Sequence, residues 1–204
     1  MAELYQWLAE GWTAAKIWEL IAVFLAILYL LFAMRENILC WPAALISTAI
    51  YTWLFFSVTL FMESLLQIYY MGMAIYGWYA WTRKDERGDE LAISSWSVRQ
   101  HLLALTLIFV LTAASATLLE NTSASYPWLD SFTTWSAVLT TWMVTRKVLE
   151  NWLYWIVINS VSIYLYLSKD LNYTAALFVL YIFLSITGYL LWKKHYRDTL
   201  DIKS

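Results

Sequence analysis

The sequence predicts an all-α integral membrane protein with seven transmembrane helices. Of its 204 residues, 62% are hydrophobic and only 14% are charged, a balance that soluble domains do not have. A bilayer core about 30 Å thick needs about 20 apolar residues per helix, so the chain has room for seven or eight spans and no sizeable soluble domain. Two prolines, five glycines and no alternation of period two argue against a β-barrel.

Apolar stretches bounded by charged residues predict the spans in order. They lie at about 13–34, 38–57, 60–82, 100–119, 126–145, 149–168 and 172–193. The connections are short except for a hydrophilic linker of mixed charge from Thr82 to Arg99. Glu3 and Glu10 precede the first span without a basic patch, which is not the layout of a cleaved signal peptide, so we expect that span to be retained.

The basic residues predict the orientation of the spans. Eleven would lie on one side, namely Arg35, Arg83, Lys84, Arg87, Arg99, Arg146, Lys147, Lys193, Lys194, Arg197 and Lys203. The other side has only Lys16 and Lys169. Cytoplasmic loops are enriched in Lys and Arg, so we expect an external N-terminus and a cytoplasmic C-terminus, with chance asymmetry as the alternative.

An internal repeat relates spans two and three to spans six and seven at an offset of 111 residues. Its matched pairs are Arg35 with Arg146, Trp41 with Trp152, Tyr70 with Tyr181, Gly77 with Gly188 and Trp81 with Trp192. The alternative is a chance likeness between apolar segments. The repeat predicts a parallel 3+1+3 arrangement: a first three-helix repeat with its cytoplasmic linker (1–99), a linker helix (100–122) and a second repeat with a cytoplasmic tail (123–204). Parallel repeats of this kind are a transporter architecture, in which the substrate is held between the halves near the membrane midplane.

Polar residues inside the spans are candidates for a binding site, because a buried polar group needs a partner or a water-filled cavity. Asn159 lies near the middle of span six, and the repeat pairs it with Thr48. Helical spacing places Trp152, Trp155, Asn159, Ser162 and Tyr166 on one face of that span. The alternative for Asn159 is an interhelical hydrogen bond.

Span three carries Glu63, Gln67 and Tyr70 at the same spacing. If Glu63 is buried it needs a positive partner, and an incoming cation would supply one; the alternative is a carboxylate at the outer interface. The 14 Trp and 15 Tyr residues are also suited to a cation, which is attracted to aromatic faces. Span five is rich in threonine and is expected to face the protein interior.

Several classes of function have no support in the sequence. We find no nucleotide-binding loop, zinc-binding His pair or serine nucleophile motif, and Cys40 is the only cysteine. His101 and His195 are read as interface residues at span ends. A net charge of -2 gives no indication of nucleic acid binding. We therefore expect no cofactor, no metal and no enzymatic activity.

Five motifs carry a resemblance to a known family. They are Ser64-Leu65-Leu66-Gln67, Ile75-Tyr76-Gly77-Trp78-Tyr79-Ala80-Trp81, Tyr126-Pro127-Trp128-Leu129-Asp130-Ser131, Thr145-Arg146-Lys147 leading into Glu150-Asn151-Trp152, and the W-x-x-x-N pattern of Trp155 and Asn159. In these motifs nearly the whole chain resembles the Pnu family of bacterial vitamin transporters.

The resemblance implies a seven-helix core like that of the SWEET sugar transporters, a homotrimer in the bacterial inner membrane, and facilitated diffusion. A cytoplasmic kinase would trap the vitamin by phosphorylating it, without a stable contact. The residues that look like the family's vitamin contacts are Gln67, Trp155 and Asn159.

The branch of the family is suggested by span two and its end. Trp41-Pro42, Ser47-Thr48-Ala49-Ile50-Tyr51-Thr52 and Met62-Glu63 look like the thiamine branch, often called PnuT. Thiamine is therefore the expected substrate and nicotinamide riboside the alternative; an intramembrane enzyme or a sensor would be alternatives of another class. The candidate substrate-binding residues are Thr48, Tyr51, Glu63, Gln67, Tyr70, Asn151, Trp152, Trp155, Asn159 and Tyr166.

Overall fold

The computed structural model describes residues 14–57, 61–84, 88, 90–120, 126–168 and 172–203. Within these ranges the chain forms seven helices, which confirms the all-helical prediction. They are α1 (Ala14–Ala33), α2 (Cys40–Ser57), α3 (Phe61–Thr82), α4 (Val98–Leu119), α5 (Pro127–Thr145), α6 (Asn151–Leu167) and α7 (Asn172–Lys203).

The helix bounds follow the predicted spans within two residues, with one exception. Helix α7 was expected to end near residue 193, where the basic residues begin, but it continues to Lys203. The added segment contains Lys, Arg, Leu and Asp and no Gly or Pro, so nothing in it breaks the helix. Charge therefore marks where the apolar part of α7 ends and does not mark where the helix ends.

By length and composition alone, three helical segments in the described part of the chain are long and apolar enough to cross a membrane. They are Cys40–Ser57, Val98–Leu119 and Ala175–Asp201. The apolar segment Ile17–Ala33 of α1 is shorter. Helix α6 has only 17 residues, and α5 is diluted by threonine. Helices of this kind are not recognised by apolarity, because their polar and aromatic side chains can face other helices rather than lipid.

The chain divides into two compact units, Met1–Thr82 and Arg83–Ser204. In the first unit, α2 packs against both α1 and α3. Two buried or partly buried hydroxyls tie these helices together: Ser47 Oγ donates to the Ala22 carbonyl at 2.8 Å, and Ser64 Oγ donates to the Thr52 carbonyl at 2.9 Å. In the second unit, α5 packs against α4 and α6, and α7 packs against α6.

The turn after α1 recurs after α5 at the predicted offset. Glu36 N–H donates to the Ala33 carbonyl and Asn37 N–H donates to the Phe32 carbonyl. In the second unit, Lys147 N–H donates to the Val144 carbonyl and Val148 N–H donates to the Met143 carbonyl. Both turns are Schellman motifs, and their left-handed positions are Glu36 (φ 53°) and Lys147 (φ 48°).

A tryptophan covers a glycine in each unit. The Trp41 ring lies against Gly77, and the Trp152 ring lies against Gly188, where a Cβ would come within 2.7 Å of the indole. Each indole also meets a second indole: Trp81 in the first unit and Trp192 in the second. The Trp and Gly residues that suggested the repeat therefore pack against one another between neighbouring helices within each unit.

Candidate functional site

One face of α6 is buried and the other is exposed. Trp152, Asn159 and Ser162 are buried, and Trp155 and Tyr166 are partly buried. The exposed positions are Leu153, Val157, Ser160, Tyr164 and Leu167, which recur at intervals of three or four residues. The face predicted from helical spacing is thus turned into the unit, as binding residues require.

Asn159 and Trp155 lie one helical turn apart on this face. Asn159 makes no side-chain hydrogen bond, and Trp155 makes no ring contact, with the described residues. The Asn159 side chain is only 4% exposed, and its amide group makes no hydrogen bond to any residue that the structure describes. Its amide atoms are not among the polar atoms that are fully enclosed without a partner, so a ligand or water can reach them. The Trp155 ring is partly buried and makes no contact with another aromatic ring among the described residues.

Asn151 and Trp152, also predicted as binding residues, are used for packing. Asn151 is fully buried, and its Nδ2 donates to the Val148 carbonyl at 2.7 Å. Trp152 is 1% exposed between Gly188 and Trp192. The Oδ1 atom of Asn151 and the Nε1 atom of Trp152 have no hydrogen-bond partner within the described ranges. The ring of Trp152 is thus accounted for by helix packing without a ligand.

Tyr166 belongs to an aromatic row that continues onto α7. Its ring lies 5.0 Å from that of Phe178, which in turn meets Tyr181 edge-on at 5.5 Å. Sequence reasoning left Phe178 and Tyr181 out of the candidate residues. The repeat could have found them, because an offset of 111 residues maps Gln67 onto Phe178 and Tyr70 onto Tyr181.

In the first unit, the two candidate side chains of α2 interact within their own helix. Thr48 Oγ1 donates to the carbonyl of Ala44 at 2.8 Å and also approaches that of Leu45 at 3.1 Å. The Tyr51 ring stacks on Phe55 with centroids 5.5 Å apart. Thr48 therefore differs from its repeat partner Asn159, whose amide has no such internal partner.

The three candidates of α3 lie in the second half of the first unit. Gln67 is partly buried, and its amide makes no hydrogen bond to the described residues. Tyr70 is partly buried beside Tyr69, with ring centroids 5.6 Å apart. Glu63 lies in the first turn of α3, but its side chain lies outside the described residues, so its predicted role as a counter-charge stays a prediction.

Two buried serines of α5 were also missed by sequence reasoning. Ser131 and Ser136 are 4% and 2% exposed, and their hydroxyls have no partner among the residues described. Neighbouring threonines behave differently: Thr140 and Thr141 donate to the carbonyls of Ser136 and Ala137. The prediction that this helix faces the protein interior agrees with the burial of Thr140 and Thr145, which are both fully buried.

An open groove of about 490 Å³ lies between α1 and α2, apart from the candidate binding residues. Its lining is apolar and consists of Trp18, Leu45, Ile46, Ala49, Ile50 and Trp53. None of the candidate polar residues lines it. A groove without polar groups offers little to orient a polar cation, so we do not assign the substrate to it.

Comparison with known proteins identifies the family. The model of the family described as "Nicotinamide mononucleotide transporter" matches residues 16–194. This range extends from the first turn of α1 to the end of the apolar part of α7. The chain belongs to this family. Membership together with the apolar helices makes the chain a multi-pass membrane protein whose relatives are transporters.

Relatives within and near this family carry different vitamins. The nicotinamide riboside transporter PnuC of Escherichia coli (strain K12) is 24% identical over 192 residues, covering 81% of this chain and 80% of that protein. The riboflavin/roseoflavin transporter RibM of Streptomyces davaonensis is 21% identical and covers 91% of this chain and 90% of its own length.

A solved structure shares the fold. The crystal structure of the vitamin B3 transporter PnuC superposes with a TM-score of 0.73 at 22% identity, covering 95% of this chain and 88% of that one. The chain therefore shares its fold with a solved vitamin transporter.

Proposed function

We propose that this chain carries a cationic vitamin across the bacterial inner membrane by facilitated diffusion. Nicotinamide riboside is the first candidate substrate. The observation that carries the proposal is the amide of Asn159, which lies on the buried face of α6 without a hydrogen bond to a described residue, one turn from the partly buried ring of Trp155. Two relatives that match most of the chain are named for vitamin transport, one for nicotinamide riboside and one for riboflavin.

The chemistry of these residues suits a pyridinium ring with a carboxamide. A cation above an aromatic face gains roughly 0.5 to 2 kcal/mol, more when water is excluded, which Trp155 would supply. The Asn159 amide can donate to and accept from a carboxamide group. Gln67 and Tyr70 of the first unit carry the same kinds of group, an amide and a partly buried aromatic ring, and remain candidates from the sequence.

The absence of basic residues on α6 favours the riboside over its phosphate. Helix α6, Asn151 to Leu167, contains no Lys or Arg. A phosphate group without a positive partner would be costly to bury, whereas a riboside has no phosphate to neutralise. The mononucleotide in the family's description is therefore the weaker candidate for this chain.

Thiamine is the second candidate, and sequence features favour it. The segment from Ser47 to Thr52 and the pair Met62-Glu63 resemble the thiamine branch. Thiamine also carries a fixed positive charge on an aromatic ring, so the same cation-π contacts would serve it. Trp41 contributes less to this choice, because its ring is buried against Gly77 and so serves packing.

The organisation that goes with this proposal is a SWEET-like 3+1+3 repeat in a homotrimer, with the N-terminus outside and the C-terminus cytoplasmic. It is supported by the recurrence of the Schellman turns and the Trp–Gly contacts at one offset, and by the distribution of Lys and Arg. Net uptake would follow from phosphorylation of the vitamin inside the cell.

Calorimetric titration of the purified protein tests the substrate. Nicotinamide riboside, thiamine, riboflavin and nicotinamide mononucleotide are titrated separately, with uncharged nicotinamide as the control for the cationic ring. We expect the tightest binding for nicotinamide riboside. Tightest binding of thiamine would replace the first candidate by the second, and heat from none of the cationic vitamins would contradict the proposal.

Vesicle uptake tests the mechanism. Vesicles containing the protein should accumulate labelled vitamin above the external concentration only when a kinase and ATP are trapped inside. Accumulation without a kinase, driven by an ion gradient, would contradict facilitated diffusion.

A further inference from the structure

The end of the hydrophilic linker is docked on the turn that precedes α6. Ser94 N–H donates to the Lys147 carbonyl at 3.0 Å, and Leu149 N–H donates to the Ser94 carbonyl at 2.8 Å, which forms an isolated parallel bridge. The Glu150 carboxylate then accepts two hydrogen bonds, one from the Ser95 hydroxyl and one from the Trp96 N–H at 3.2 Å. We call residues 94–97 and Glu150 the clasp.

A second set of contacts continues the clasp onto α4 and α6. His101 Nδ1 and the Tyr154 hydroxyl are hydrogen-bonded at 2.9 Å, and their rings stack with centroids 5.8 Å apart. The Trp96 ring lies 5.6 Å from that of His101 and 5.9 Å from that of Trp142. Ile93, just before the clasp, is 9% exposed. The linker end is thus held by polar and aromatic contacts together.

The clasp links two helices that otherwise have little direct contact. Helices α4 and α6 each pack extensively against α5, but they do not pack extensively along one another in the described residues. Glu150 immediately precedes α6, and Tyr154 lies one turn further on, on the same side. Two attachments one turn apart fix both the end of a helix and its rotation about its own axis.

That rotation decides where Trp155 and Asn159 point. Successive residues of an α-helix are separated by about 100°, so Trp155 stands about 100° and Asn159 about 140° around the helix axis from Tyr154. Contacts that hold one face therefore aim the other. A small rotation of α6 would move both candidate vitamin contacts together.

We propose that Glu150 and His101 are positioning residues that hold α6 in the rotation at which Trp155 and Asn159 bind the vitamin. This inference rests on the proposed function for its consequence, although the clasp itself is tested without any ligand. Neither residue touches the vitamin in this proposal. Loss of either one leaves Trp155 and Asn159 in place on the helix but releases the constraint on their direction.

Pulsed electron paramagnetic resonance tests the constraint on the ligand-free protein. Cysteines for spin labelling replace Thr134 of α5 and Ser160 of α6, which are both exposed. The native cysteine is removed by Cys40→Ala, so that only these two positions are labelled. We expect a narrow distance distribution that shifts or broadens in Glu150→Ala and in His101→Ala. An unchanged distribution in both variants would overturn the inference.

A matched control separates positioning from general loss of a carboxylate. Glu120 also accepts a hydrogen bond, from Trp128 Nε1 at 2.8 Å, but joins the end of α4 to α5 and not to α6. Glu120→Ala should leave the label distance unchanged. If Glu150→Ala fails to fold, Tyr154→Phe removes only the hydroxyl bonded to His101 and should broaden the distribution to a smaller extent.

Vitamin titration then tests the consequence. Coupling of this kind changes affinity by roughly 2- to 30-fold, so we expect weaker binding of that size in Glu150→Ala and no change in Glu120→Ala. In an Asn159→Ala background the further effect of Glu150→Ala should shrink, because the group it positions is gone. Full additivity would contradict positioning. Absence of vitamin binding in the unmodified protein would refute the proposed function and leave the label result standing.

Discussion

Trp41 meets Trp81 edge-on, with ring centroids 5.1 Å apart and an interplanar angle of 84°. Trp152 meets Trp192 in the same way, at 5.5 Å and 90°. In both units the first indole also covers a glycine of the same neighbouring helix. Edge-on indoles are favourable beyond their buried area, and a glycine lets the ring approach the helix backbone closely. The repeat therefore preserves a packing unit between two helices.

Alanine at either covered glycine should destabilise the protein. A Cβ at Gly188 would lie 2.7 Å from three indole atoms of Trp152, and one at Gly77 would clash with the Trp41 ring. Overpacking of this kind costs about 1 to 3 kcal/mol. We expect Gly77→Ala and Gly188→Ala each to lower the melting temperature of the purified protein in detergent. The loss of monodisperse protein on heating measures this temperature.

Gly72→Ala is the matched control, since a Cβ there meets nothing within 4 Å and Gly72 lies in the same helix as Gly77. Its melting temperature should stay the same or rise, because alanine has the higher helix propensity. Equal losses at Gly72 and Gly77 would show that the indole contact is not the cause.

The helices were predictable because apolar length and charge mark them, and the local likeness of the two units was predictable because Trp and Gly stand in register. The role of Trp152 was not. Helical spacing grouped it with Trp155 and Asn159, whereas its repeat partner Trp41 and the pair Gly77 and Gly188 point to packing. Spacing along one helix tells which side chains share a face but not which neighbour covers each of them.

The contacts of the clasp could also not be predicted from the sequence. Its segment is polar and has no periodicity, and hydropathy describes it only as a linker. The contacts of Ser94 and Ser95 with residues some 50 positions later depend on the fold of the α5–α6 turn.

Substitutions at Glu36 should depend on the backbone conformation of the first turn. Glu36 has a φ of 53°, and a left-handed conformation costs a residue with a Cβ about 1 kcal/mol relative to glycine. Glycine and valine both remove the Glu36 carboxylate, so we expect the β-branched Glu36→Val to have a lower melting temperature than Glu36→Gly. Asn37→Gly is the control: it should be destabilising, because the Asn37 side chain accepts a hydrogen bond from Leu39 N–H at 2.9 Å. Equal melting temperatures of Glu36→Val and Glu36→Gly would contradict this explanation.

Ser47 and Thr48 are adjacent hydroxyl residues with different expected effects on stability. Ser47 Oγ donates across to α1, to the Ala22 carbonyl, and is 3% exposed. Thr48 Oγ1 bonds only within α2 in the contacts above. Ser47→Ala should cost about 1 kcal/mol, the net value of an interhelical hydrogen bond, and Thr48→Ala should cost little. Thermal unfolding of the two variants compares them, and a larger loss for Thr48→Ala would contradict the assignment.

Replacing Asn159 by leucine should weaken vitamin binding most strongly. Leucine has a similar volume but no hydrogen-bonding group, so a ligand amide or hydroxyl that faced Asn159 would be left without a partner. Such a loss costs about 1 to 3 kcal/mol, which corresponds to roughly 5- to 150-fold in affinity. Folding should be retained, because the Asn159 amide makes no hydrogen bond to a described residue that leucine would remove. Ser160→Leu is the matched control on the exposed face of the same helix, where the hydroxyl bonds only to the Ile156 carbonyl in the described contacts. Titration with nicotinamide riboside and with thiamine measures both variants. Unchanged affinity of Asn159→Leu for whichever vitamin the unmodified protein binds would remove Asn159 from the site.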